Sequence, residues 1–241
     1  MKAHQCLFLF GCIAQCHVGR SAAFRNLGFE DVNGSLDPNA MSFSVPTALA
    51  LPSWRIFIGD REIYETSFNS IFLSLSPYTS VYSAKTPGMV LSGRFSCGLY
   101  SGIHFPTEEW VDTAIAQTGL IPPESESMTF KTFYAGELYV LLDGESLPLK
   151  ILDRTTNGAV TVLTMGADIS GFAGQERELR FVSHPFPDRL EIGFAMLDDI
   201  TFSNQPIPEP TGLLGVGALG GILWLRRRVR RNERRAPGKG S

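Results

Sequence analysis

The sequence predicts an all-β domain, an antiparallel β-sandwich of jelly-roll type, followed by one C-terminal transmembrane helix. Three observations carry that expectation. Between residues 24 and 203 the chain falls into eight short apolar or alternating runs separated by Gly, Pro, Asn, Asp and Ser. No stretch in that span keeps a helical stripe over three turns. Near the end, an apolar run without charge lies between prolines and arginines. Short strands at this density close as a two-sheet sandwich.

Taken in order, residues 1–23 read as a secretory signal: Lys2 supplies the positive start, Cys6 to Ala14 the apolar stretch, and Ser21 and Ala23 the small residues before a cut after Ala23. Leu9 to Cys12 loosely resembles a lipoprotein cleavage box, but the apolar run ahead of it is too short. The strand-like runs are 48–59, 70–76, 88–98, 127–135, 136–144, 158–165, 176–183 and 190–203. Residues 108–119 fit either one short helix or an alternating strand. Asp143-Gly144 supplies the positive φ of a tight hairpin turn within 141–149. Residues 167–181 read as a turn or single helical turn that Gly174 releases into a strand.

Residues 204–210 form a linker stiffened by three prolines. Residues 211–225 carry no charge, yet a helix of that length spans only about 22 Å of a hydrocarbon core roughly 30 Å thick. The flanks decide for a membrane span: Pro208 and Pro210 can precede a helix, and Arg226, Arg227, Arg228, Arg230 and Arg231 are far too costly for a protein core. Snorkelling arginine stems lengthen the span, and their cluster marks a cytoplasmic tail over 226–241.

The formal charge of -3 hides a split. Seven Arg and one Lys against one Glu make 226–241 strongly basic, while residues 24–225 carry about twelve excess negative charges. An acidic body excludes nucleic acid as partner, because phosphate binding needs a cationic surface. Cys97 is the only cysteine beyond residue 16, so the exported body is held by packing rather than by an internal disulfide.

Pro208-Glu209-Pro210, the Gly-rich apolar stretch and the arginine cluster closely resemble the PEP-CTERM sorting signal of bacterial proteins handled by exosortases. The resemblance covers about thirty residues. It implies export, transient membrane anchoring, removal of the helix and tail, and delivery to the cell surface or the extracellular polysaccharide.

A second resemblance rests on "NLGFED" (26–31), "ADISGFAGQERELRF" (167–181) and "MLDDITFS" (196–203), which are similar to galactose-binding-like jelly rolls of bacterial surface proteins and carbohydrate-binding modules. It implies that the first and last strands pair, and that a structural Ca²⁺ is held by Glu30 and Asp199, with Asp31 and Asp198 as further candidates. Carboxylates on converging strands suit Ca²⁺, which takes six to eight oxygens. The competing reading is that these acids are solvated strand ends.

Catalytic chemistry finds little support. His104 and His184 are the only histidines of the body and lie in no metal-ligand spacing, a Cys97–His104 pair has nothing else behind it, and "GRFSCG" departs from the serine-hydrolase elbow. Trp110, Tyr78 and Tyr82 are the aromatic residues expected at the surface, where a ring can stack on a sugar face. The expected function is therefore a non-enzymatic cell-surface or matrix protein. A carbohydrate-binding module is the alternative, and a secreted glycoside hydrolase, with acids that sequence cannot pair, a distant third.

Overall fold

The structure, a computed structural model, describes residues 22–71, 75–105, 107–157, 160–186 and 191–208. Most of the expected signal, Glu209 and Pro210, the apolar stretch 211–225 and the arginine cluster lie outside the described residues. Among the described residues, no helix is long and apolar enough to cross a membrane.

The chain begins with β1 (Ser42–Pro46), a helical turn α1 (Thr47–Ala50), β2 (Arg55–Ile58), β3 (Arg61–Ile63), β4 (Glu65–Phe68), β5 (Tyr78–Ser83) and β6 (Phe95–Tyr100). A ribbon of β7 (Gly102–His104) and β8 (Glu109–Val111) leads into β9 (Thr113–Leu120), β10 (Ser127–Ala135), β11 (Glu137–Leu142) and β12 (Glu145–Ser146). β13 (Lys150–Asn157), β14 (Val160–Asp168), β15 (Glu176–His184) and β16 (Phe194–Ser203) complete it. One sheet has eight strands in the order β1-β4-β5-β6-β16-β10-β14-β13, and the other six in the order β12-β11-β15-β9-β2-β3.

Alternation explains why these two sheets pack together, because side chains of successive strand residues point to opposite faces. Val81, Cys97, Leu99, Phe130 and Leu197 of the larger sheet meet Ile56, Ile115, Val140, Leu179 and Phe181 of the smaller one in a single buried cluster. The Phe130 and Phe181 rings touch edge-on across the sandwich at 5.1 Å. Each such buried side chain contributes about 1.5–3 kcal/mol. The β-sandwich expectation therefore holds at the level of two packed, mainly antiparallel sheets, with one parallel pair, β4 and β5.

Several expectations need correction. Residues 88–98 are strand only from Phe95; the preceding segment is a loop. The 48–59 run starts as a helical turn, and the described part of 70–76 is irregular. Strands β1, β5 and β13 were not anticipated because SFSVP, YTSVYS and KILDRTTN are rich in Ser, Thr or charge, and the hydroxyl-rich β5 is nonetheless buried through Ser83. The ambiguous 108–119 run resolves into β8 and β9. Asp143 and Gly144 both take positive φ, 47° and 82°, as the hairpin required.

The first and last strands do not pair: β1 lies at the edge beside β4, whereas β16 is central between β6 and β10. The N-terminal segment reaches β16 instead. A bulge at Asp199, where φ is 52° and the β10 register shifts, turns the Ile200 N–H out to the Leu27 carbonyl at 3.1 Å. Upstream, Leu120 N–H donates to the Ala22 carbonyl, and the Gln117 amide grips Arg25 N–H and C=O at 2.6 and 2.9 Å. Among the described residues these contacts begin at the Ala22 carbonyl, a bond that a cut after Ala23 would remove.

Candidate functional site

Glu30 and Asp199, the expected calcium ligands, are each compensated by a cation of the chain itself. Gly93, in the left-handed region at φ 58°, turns the chain so that the Arg94 and Phe95 N–H groups both donate to Glu30 Oε1, at 2.6 and 3.2 Å. Arg94 Nε donates to Oε2 at 3.0 Å. A side chain at 93 would place its Cβ 2.2 Å from the same carboxylate. On β16, Asp199 Oδ2 pairs with Lys131 Nζ at 2.9 Å, and Lys131 also donates to Ser92 Oγ.

Asp198, only 1% exposed, accepts from Ser96 Oγ (2.5 Å), Ser92 N–H (2.9 Å) and Asp199 N–H (2.7 Å). Burial pushes its carboxyl up to about 6, against the pull of those hydrogen bonds. Among the described residues, no three His, Cys, Asp or Glu side chains gather where they could hold a metal. The oxygens of Glu30 and Asp198 already accept hydrogen bonds from the chain, and Asp199 faces Lys131, so a Ca²⁺ drawing on them would displace these partners.

The three aromatic candidates separate. Tyr82 is fully buried, not exposed; its hydroxyl donates to the Ser70 carbonyl and meets the Tyr100 hydroxyl at 2.8 Å, and burial raises the pKa of both phenols. Tyr78 is half-buried and stacks on Tyr100 at 4.1 Å with the rings 7° from parallel. Tyr100 continues to Phe194 at 4.7 Å and Phe194 to Phe133 at 5.5 Å. This row crosses β5, β6, β16 and β10 on the outer face of the larger sheet, with Met89 and Leu91 of the 88–94 loop packed against the same cluster. Trp110 is half-buried on β8, opposite Ile103.

The thiol–imidazole pair does not form. Cys97 faces the core, where burial and then the Asp198 charge raise its pKa, while His104 sits on the ribbon with Nδ1 3.3 Å from Thr107 Oγ1. A buried thiol held protonated is no nucleophile.

The outer face of the six-stranded sheet holds a cluster that the sequence reading missed. Glu137 pairs in register with His184 across β11 and β15, and His184 Nδ1 lies 2.6 Å from Asp112 Oδ1, at the entrance to β9. Tyr139, one row along, is 40% exposed, donates its hydroxyl to Glu137 and stands edge-on to the His184 ring at 6.1 Å. Beyond it Val182, Ala114, Ala116 and Phe57 form a small apolar patch that Arg180 covers, its guanidinium 4.2 Å from the Phe57 ring. Arg55 binds both Glu178 and Glu62 over the same ring. No spacing rule could have signalled the cluster, since its members come from β11, β15 and the residue just before β9 and meet only through the pairing of those strands. Sequence did place Trp110 two residues from Asp112.

Neither known protein families nor curated proteins give a match to this sequence. Among solved structures the chain is similar to the carbohydrate-binding module TmCBM61 in complex with β-1,4-galactotriose, at 11% identity over 76% of this chain and 99% of that one, with a TM-score of 0.37. It is also similar to a β-glucosidase from Kluyveromyces marxianus in complex with glucose, at 16% identity over 52% of this chain and 15% of that one, TM-score 0.26. A GH31 α-xylosidase from Xanthomonas citri follows at 11% identity over 69% and 18%, TM-score 0.14.

Proposed function

We propose that this chain is an exported, non-enzymatic protein of the bacterial cell surface or extracellular matrix, sorted by a PEP-CTERM signal through an exosortase-type enzyme. The order of parts carries the reading: β16 ends at Ser203, a short proline-rich linker follows, and Pro208-Glu209-Pro210 then opens a charge-free stretch closed by arginines. An export signal precedes the sandwich, and the stretch 211–225 anchors it in the membrane until processing. Intact mass of the protein recovered from its native cell surface tests this, since both cuts register in one spectrum. A full-length chain free in the cytosol defeats it.

Within that role the sandwich binds polysaccharide. The specific observation favouring this second reading is the half-exposed Tyr139 ring with carboxylate and imidazole groups fixed around it, a combination that offers a sugar both an apolar face and hydrogen-bond partners. Retention on immobilised polysaccharides, compared with and without chelator, tests it.

A further inference from the structure

We propose that the outer face of the six-stranded sheet around Tyr139 is a binding site for a neutral glycan, with Glu137, His184 and Asp112 as its polar contacts. The proposal rests on the carbohydrate-binding reading and gives it a place and a charge preference. Three features of the cluster point to a sugar.

The first is pre-organisation. A ring that must stack on a pyranose loses affinity if it swings freely, because ordering it costs entropy at the moment of binding. Tyr139 is held at both ends of its motion: its hydroxyl donates to Glu137, and its ring meets His184 edge-on. His184 in turn is fixed through Nδ1 to Asp112 at 2.6 Å. With its edge so engaged, the ring still leaves 40% of the residue open to solvent.

The second is spacing. Glu137, His184 and Asp112 sit side by side on β11, β15 and the start of β9, and two strand spacings span about 10 Å. Carboxylates and an imidazole are thus drawn from neighbouring strands of one face, wide enough to meet more than one hydroxyl of a sugar chain. The β7–β8 ribbon bearing Trp110 runs directly into Asp112.

The third is charge. Glu137 and Asp112 line the row, each with one oxygen taken up by Tyr139 or His184, while the nearby cations face carboxylates of their own, Arg55 those of Glu62 and Glu178 and Arg180 that of Glu178. Carboxylates accept hydrogen bonds from sugar hydroxyls well, and they repel uronates and sulfate esters. The face therefore selects a neutral polysaccharide over an anionic one.

The test is affinity electrophoresis of the full chain through gels containing a neutral galactan, xylan or glucan, with polygalacturonate as the anionic counterpart. At least one neutral polymer retards the wild type and polygalacturonate does not. Tyr139→Ala and Asp112→Asn each weaken that retardation about tenfold, the equivalent of one ring or one charge-assisted hydrogen bond; Tyr139→Phe, which keeps the ring but loses its tie to Glu137, weakens it less than Tyr139→Ala, and Tyr78→Ala changes nothing. Circular dichroism of the variants establishes that the sandwich is intact. Retardation of the wild type that Tyr139→Ala and Asp112→Asn leave unchanged overturns this site and spares the carbohydrate-binding reading. No retardation by any neutral polymer overturns both, and stronger retardation by polygalacturonate overturns the neutral preference.

Discussion

Lys131 Nζ lies 2.9 Å from Asp199 Oδ2, and the same ammonium donates to Ser92 Oγ, so one cation ties the last strand to the loop that crosses the larger sheet. Together with Arg94 on Glu30, it occupies the electrostatic role that the jelly-roll resemblance assigned to Ca²⁺. The expected result is that neither chelator nor millimolar Ca²⁺ moves the melting temperature. A rise of several degrees with Ca²⁺, or one equivalent of calcium in the purified protein, contradicts it.

The grip on Glu30 depends more on backbone than on the exposed guanidinium. Arg94→Ala removes a surface ion pair and costs at most about 1 kcal/mol. Gly93→Ala costs more, about 1–3 kcal/mol, because the φ of 58° is strained for any Cβ and the added methyl meets the carboxylate. Urea titration of both variants checks the order, and a larger loss for Arg94→Ala reverses the argument.

Asp198 makes stability depend on pH. Its folded-state pKa of about 6 lies above the unfolded value of about 3.9, so the folded state holds the proton more tightly. The stabilisation is complete below about pH 4 and is lost as pH rises through 6, on the order of 2–3 kcal/mol in all. Asp198→Asn, which cannot titrate, lowers stability throughout because an amide N–H₂ faces donors, and it removes this slope. Melting curves at pH 5 and 7.5 decide it; equal slopes in the two proteins refute the assignment.

The contact of Phe130 with Phe181 spans the sandwich, and neither ring is more than 1% exposed. Phe181→Ala leaves a cavity between sheets and costs about 3–5 kcal/mol, measurable by denaturant unfolding. A loss below 1 kcal/mol would mean that the sheets do not meet there.

A domain beginning at Ser21 melts above one beginning at Phe24, since only the longer form keeps the Ala22 carbonyl that Leu120 N–H uses. The difference is about 1 kcal/mol. Equal melting temperatures remove Ala22 from the folded unit.

How much of this was legible beforehand follows from where the information lies. Runs such as 127–135 and 176–183 alternate Met128, Phe130 and Leu179, Phe181 toward one core, and that period is local, so the sandwich was readable. β5 was not: its Ser80 and Thr79 are buried because neighbouring strands and the Thr66 hydroxyl surround them, a fact of pairing that composition hides. Tyr82 failed for the same reason, its polar context in sequence being an internal hydrogen-bond network in space. The Tyr139, His184 and Asp112 cluster lies beyond any sequence window, because register alone assembles it.

β16 carries a final implication. The chain leaves the domain directly from this strand, which is flanked on both sides by antiparallel partners, and the exit is fastened by Ser127 Oγ to the Gln205 carbonyl and by Ile207 against Gly166. If the proposed tether holds, any pull on the chain beyond Pro208 reaches the domain through β16, which is held by ladders on both sides, so two sets of backbone hydrogen bonds resist it together. On the proposed reading, tension between cell and polymer would pass from the eight-stranded sheet to the six-stranded one through the core they share.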